Sequence, residues 1–124
     1  MNKRVLIVDD HPELRRLVSM TVEQDDYEIH EANDGWGALA AIKELHPDIV
    51  ILDVMMPGGL DGYQVCEMIK ADPETAHTTV ILLTARGQKH DLQRGQEVKA
   101  DSYLVKPFSP LELIDIVERA TQTR

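Results

Sequence analysis

The chain has 124 residues, 43% of them hydrophobic and 28% charged, which suits one globular domain over residues 1–124 and leaves no room for a second. Its 22 acidic and 13 basic residues give a formal net charge of −9, a balance that repels nucleic-acid phosphates and anionic membranes and argues against direct DNA binding by this domain. No apolar run approaches the about 18 residues of a membrane span, and the single Cys66 excludes an internal disulfide, so the expected location is the cytoplasm.

Val5-Leu6-Ile7-Val8 is a short, continuous apolar run that ends in Asp9-Asp10. Runs of this kind read as strands buried on both faces, the mark of a parallel sheet. Leu14, Leu17, Val18, Thr21 and Val22 then fall on one helical face. Tyr27 to Glu31 alternates, as a half-exposed edge strand does. Ala38, Leu39, Ile42 and Leu45 make a second helical stripe, with Asp34 as its cap and His46-Pro47 as its end. Ile49-Val50-Ile51-Leu52 is the next buried run and ends in Asp53.

Val65, Cys66 and Ile69 form the third stripe, where Cys66 reads as a small buried helix residue. Val80-Ile81-Leu82-Leu83 ends in Thr84. The helix expected over Gln88 to Val98 is poorly written, because its large apolar residues are only Leu92 and Val98 and Gly95 lies inside it. Glycine costs a helix interior about 1 kcal/mol relative to alanine, so this should be the least firmly packed helix, with Gly95 allowing close approach. A weaker run, Tyr103-Leu104-Val105, ends in Lys106. Ser109-Pro110 opens the last helix, striped by Leu113, Ile114, Val117 and Ala120.

The alternation of strand and helix implies an α/β, doubly wound parallel sheet of five strands with helices on both faces. In such sheets, ligands bind beyond the carboxyl ends of the strands. The residues at those ends are Asp9, Asp10, Asp53, Thr84 and Lys106. Three carboxylates brought together repel one another and call for a cation. Mg²⁺ needs only two or three of them because it keeps several waters. One carboxylate can then act as nucleophile toward a phosphoryl group, with Thr84 and Lys106 donating to its oxygens. A lone acid after a strand is commonly a helix cap; five polar residues at one sheet edge make a site.

As an ordered set, Val5-Leu6-Ile7-Val8-Asp9-Asp10, Ile51-Leu52-Asp53-Val54-Met55-Met56-Pro57, Asp61-Gly62, Leu83-Thr84-Ala85 and Tyr103-Leu104-Val105-Lys106-Pro107-Phe108 resemble the receiver domain of bacterial two-component response regulators, the chemotaxis-type flavodoxin-like fold. The resemblance runs from Arg4 to about Thr121 and brings with it the strand order 2-1-3-4-5. It implies that Asp53 is the phosphoacceptor and that Asp10, Asp53 and the Met55 backbone carbonyl bind Mg²⁺ (Mn²⁺ as an alternative), with Asp9 acting through metal-bound water. Thr84 and Lys106 would contact the phosphoryl oxygens, and the Lys106-Pro107 bond would be cis. Tyr103 would be the aromatic switch that turns inward as the Thr84 hydroxyl moves to the phosphoryl group. Met55 and Arg86 occupy the two variable positions flanking the pocket.

The implied function is a signalling phosphoacceptor and not an enzyme beyond its own phosphotransfer and dephosphorylation. A sensor histidine kinase or histidine phosphotransfer protein would donate the phosphoryl group. The face made by the fourth helix, fifth strand and fifth helix would then change its affinity for a downstream effector or a second copy of the chain. Thr121 to Arg124 ends soon after the last stripe, as a domain cut from a longer regulator would.

Three features depart from the common family pattern. Gly58-Gly59-Leu60-Asp61-Gly62 is one residue longer, Lys99 stands where glycine is usual, and Ser102 replaces a frequent aspartate. The five histidines include no metal-binding pair on one helical face; His11, after the acidic pair, reads as a helix-start surface residue that can approach the pocket. Two rival readings are a haloacid dehalogenase-type phosphohydrolase and a non-phosphorylated interaction module of the same fold. The first needs an aspartate two residues after its nucleophile, where this chain has Met55 after Asp53 and His11 after Asp9. The second usually loses pocket residues, and none is lost here.

Overall fold

A computed structural model describes residues 3–23, 27–56, 58–84 and 89–122. Strands and helices alternate: β1 (Lys3–Val8), α1 (Pro12–Val22), β2 (Tyr27–Ala32), α2 (Gly35–Leu45), β3 (Ile49–Asp53), α3 (Gly62–Ala71), β4 (Thr79–Thr84), α4 (Lys89–Glu97), β5 (Ser102–Val105) and α5 (Pro110–Gln122). The five strands are parallel in the order β2-β1-β3-β4-β5. The fold class and strand order therefore match the sequence reading. Among the described residues, no helix is long and apolar enough to cross a membrane.

Because β1, β3 and β4 lie inside the sheet, their apolar side chains alternate between two cores. Leu6, Val8, Val50, Leu52, Val80 and Leu82 meet Ala38, Ile42, Val65, Cys66 and Ile69 on one face. Val5, Ile7, Ile49, Ile51, Ile81 and Leu83 meet Val18, Val22, Leu113 and Val117 on the other. Burial on both faces is what an uninterrupted apolar run requires.

Helix starts follow the expected chemistry. The Asp34 side chain accepts from the Gly37 N–H at 2.7 Å, and His46 ends α2 in the left-handed region at φ 48. Asp61 and Gln64 form a reciprocal capping box at α3. At α5, the Ser109 Oγ accepts from the Glu112 N–H at 3.1 Å, while the Glu112 side chain accepts from the Ser109 N–H at 3.3 Å.

Three expectations are corrected. Leu17 sits 55% exposed, because the stripe that packs inward on α1 is Leu14, Val18 and Val22, spaced four apart. β5 is not buried on both faces: it is a sheet edge, and only Leu104 is covered while Tyr103 and Val105 are exposed. Gly95 makes no close approach, since a Cβ there would meet only the Leu82 Cδ1, at 3.7 Å. The Leu92 side chain lies outside the described residues.

Candidate functional site

The parallel register sets the three acids side by side. Val8 pairs with Leu52 between β1 and β3, and Asp53 pairs with Leu83 between β3 and β4. Asp9 and Asp53 therefore follow neighbouring strands out at the same edge, with Thr84 one residue past the partner of Asp53. Thr84 pairs with Val105, and its carbonyl accepts from the Lys106 N–H at 2.7 Å. That bond carries Lys106 back over the sheet edge, and the Lys106-Pro107 peptide bond is cis.

Asp9 is held by its backbone. Its N–H donates to the Ala32 carbonyl at 3.2 Å, and its own carbonyl accepts from the Arg15 guanidinium at 2.8 Å. Arg15, held in turn by Glu31 at 2.8 Å, is a positioning residue that no local sequence signal marks. The His11 N–H donates to the Asp9 Oδ1 at 2.8 Å.

Asp53 is held from below by α3. A Cβ on Gly62 would collide with the Asp53 carbonyl oxygen and stand 2.8 Å from the Val54 Cα, so only glycine lets the first turn of α3 pass this close to the strand end. The Gly62 N–H donates to the Val54 carbonyl at 2.9 Å. The longer loop before it uses its glycine pair at positive φ, 93 for Gly58 and 85 for Gly59. The only tryptophan, Trp36, ties that loop to α2 by donating to the Gly58 carbonyl at 3.1 Å.

The Lys106 Nζ stands 3.1 Å from Asp53 Oδ1 and 3.7 Å from Asp9 Oδ2. Asp9 and Asp53 are only 1% and 3% exposed. Burial raises the Asp53 carboxyl above its ordinary value and the Asp9 charge adds to that, while Lys106 and the Met55 backbone N–H oppose it. One ammonium thus serves more negative charge than it can balance. Asp9 Oδ2 and Asp10 Oδ1 are buried with no hydrogen-bond partner among the described residues, and one ligand atom from each of Asp9, Asp10, His11 and Asp53 lies within 4.8 Å of the others. Buried oxygens without donors are what a divalent cation satisfies, and a carboxylate set suits Mg²⁺. The residues present fit such an ion.

The other expected site residues divide. Thr84 is buried at the sheet edge, Met55 is an exposed residue beside the pocket, and Tyr103 points outward at 42% exposure. Arg86 lies outside the described residues. Cys66 stays apart from the site: it is buried, donates to the Val98 carbonyl at 3.5 Å, and burial pushes its thiol up to about 12.

The family model for the response regulator receiver domain matches residues 5–118. The chain is 41% identical over 124 residues to the transcriptional regulatory protein ResD of Bacillus subtilis, covering 97% of this chain and 50% of that protein. It is 40% identical over 114 residues to the phosphate regulon transcriptional regulatory protein PhoB of Escherichia coli, covering 92% of this chain and 49% of that one. The chain therefore spans about half the length of the curated relatives it matches. Among solved structures, a putative response regulator from Chloroflexus aurantiacus superposes with a TM-score of 0.91 at 34% identity, covering 98% of this chain and 99% of that one. Chemotaxis protein CheY4 of Vibrio cholerae gives 0.89 at 32% identity, covering 97% and 99%.

Proposed function

The chain belongs to the response regulator receiver domain family, and from that premise we propose that residues 1–124 form one phosphoacceptor domain whose acceptor is Asp53. The observation that carries this reading is the buried Asp53 carboxylate with Lys106 Nζ at 3.1 Å, beside two more carboxylates with unsatisfied oxygens. Such a group has more negative charge than its own lysine can offset.

The donor is a phosphohistidine on a sensor kinase or histidine phosphotransfer protein. An Asp53 carboxylate oxygen attacks phosphorus in line, the phosphorus–nitrogen bond breaks, and the imidazole leaves with its electron pair and takes up a proton. Lys106 neutralises phosphoryl oxygens on one side and the Thr84 hydroxyl donates to another, so that charge is met by fixed donors. Asp10, Asp53 and the Met55 carbonyl would hold Mg²⁺ or Mn²⁺, with Asp9 acting through its water. When bound, the ion would supply further positive charge against the charge of the phosphoryl oxygens. Met55, exposed beside the pocket, and Arg86, the second variable position of the family pattern, set how readily water reaches the aspartyl phosphate.

The output is a population shift. Movement of Thr84 toward the phosphoryl group vacates space into which the outward Tyr103 ring turns, changing the α4–β5–α5 face. That face then binds a downstream effector, or a second copy of the chain, in the cytoplasm. Relatives about twice as long as this chain include the DNA-binding response regulator MtrA of Mycolicibacterium smegmatis, of which it covers 48%, so the effector of a longer regulator would be a DNA-binding domain.

The test is intact-mass measurement after incubation with acetyl phosphate and Mg²⁺. Addition of one phosphoryl group to the unaltered chain, and none to Asp53→Asn, is the expected result. Labelling that survives Asp53→Asn moves the acceptor elsewhere. An unaltered chain that takes no label under any donor is a non-phosphorylated interaction module.

A further inference from the structure

His11 lies directly after the acidic pair and is the N-cap of α1, yet its side chain caps nothing. An N-cap side chain normally accepts from the open N–H groups of the first turn. This ring instead turns its Nδ1 toward the carboxylates, 3.3 Å from Asp9 Oδ1 and 3.2 Å from Asp10 Oδ1. The approach to Asp10 leaves that oxygen without a hydrogen bond. The ring is otherwise open, with the side chain 69% exposed. One nitrogen thus faces the acids while the rest of the ring faces solvent.

From this arrangement we infer that His11 is a nitrogen ligand of the carboxylate site and gives it a preference for imidazole-binding divalent cations over Mg²⁺. The inference rests on the cation site of the proposed function. Four groups are within common reach, Asp9, Asp10, His11 and Asp53, and Asp9 contributes a nine-tenths buried oxygen, Oδ2, with no hydrogen bond. Lys106 Nζ, at 3.7 Å from that oxygen, lies beyond hydrogen-bonding distance. Carboxylate oxygens and water satisfy Mg²⁺, whereas imidazole nitrogen favours Ni²⁺, Zn²⁺ and Cu²⁺. Ligation through Nδ1 would replace its contact with Asp9 Oδ1 and leave Nε2 in water, so it desolvates little. The backbone N–H of His11 already fixes Asp9 Oδ1 at 2.8 Å. The residue therefore arrives at the site with its main chain anchored, whatever its side chain.

Calorimetric titration with NiCl₂ and MgCl₂ separately, and with Ni²⁺ in competition with Mg²⁺, tests this on the unaltered chain, His11→Phe and His11→Ala. Phenylalanine keeps a planar ring and the backbone N–H while removing the nitrogen. A large excess of Mg²⁺ should lower the apparent Ni²⁺ affinity of the unaltered chain, as competition for one site requires. In both variants Ni²⁺ affinity should fall at least about tenfold while Mg²⁺ affinity stays within about twofold. Three results overturn the inference: Ni²⁺ affinity indifferent to His11, Ni²⁺ affinity unaffected by saturating Mg²⁺, or equal weakening of both cations, which would make His11 a positioning residue for Asp9. Failure of the unaltered chain to bind Mg²⁺ would remove the cation site itself, and the inference with it. Mg²⁺ binding retained beside any of the three removes the inference alone.

Discussion

Helices α3 and α4 flank the same strand, β4, but are built to different standards. α3 opens on a reciprocal capping box, sets Gly62 against the Asp53 carbonyl and buries Val65, Cys66 and Ile69. α4 has a glycine in its interior and closes on a Schellman motif, with the Ala100 N–H donating to the Gly95 carbonyl and the Lys99 N–H to that of Gln96. The left-handed position of that motif is held by Lys99, at φ 64, where glycine fits without strain. So α3 has glycine where nothing else fits, and α4 lacks it where it would help and has it where it does not. The difference separates a helix that fixes the proposed acceptor, Asp53, from one whose looser build would suit the proposed switch.

The largest expected effect is on the α3 side. Gly62→Ala forces the helix start off the strand end and should cost about 1–3 kcal/mol by overpacking, read as a lower urea midpoint. An unchanged midpoint would break the contrast at once.

Asp53→Asn sharpens it by showing what the α3 side holds in place. Burial raises the Asp53 carboxyl above its ordinary value of 3.8, so the favourable protonated form contributes stability fully below that pH, and this is lost as pH rises through the folded-state value. Removing the charge should therefore raise the midpoint at neutral pH in EDTA, and the gain should shrink toward pH 3.8. A gain that persists undiminished at low pH would assign the effect to something other than the buried charge.

On the α4 side the sign reverses for a neutral glycine substitution. Gly95→Ala meets only the Leu82 Cδ1 at ordinary contact distance, 3.7 Å, and should stabilise the chain by about 0.5–1 kcal/mol. The same variant should show a smaller beryllofluoride-induced change in amide shifts over 84–110, because a firmer α4 moves less. Lys99→Gly, the smallest step, should add about 0.5 kcal/mol by relieving the left-handed backbone, measurable as slower amide exchange at the end of α4. If either variant destabilises, α4 is not the loosely built partner described.

Much of this was written in the chain. Uninterrupted apolar runs at β1, β3 and β4 gave the interior of a parallel sheet, and the polar residues that end them, Asp9, Asp10, Asp53, Thr84 and Lys106, gave the candidate site. The weakness of α4 was equally legible, as a shortage of large apolar residues around Gly95. The exposure of Leu17 and of β5 was not, because a stripe or run records only that a face can be buried. Whether it is buried depends on which element arrives from elsewhere in the chain.

The sequence by itself therefore determined the order of elements and the chemistry at the strand ends, since periodicity and breaks in it are local properties. Tertiary structure alone decided which edge of the sheet stays open, that Gly62 is sterically required while Gly95 is not, and that Arg15 and His11 reach back to Asp9. Those outcomes depend on distances between residues far apart in sequence or on side-chain direction, neither of which a local pattern of residue types encodes.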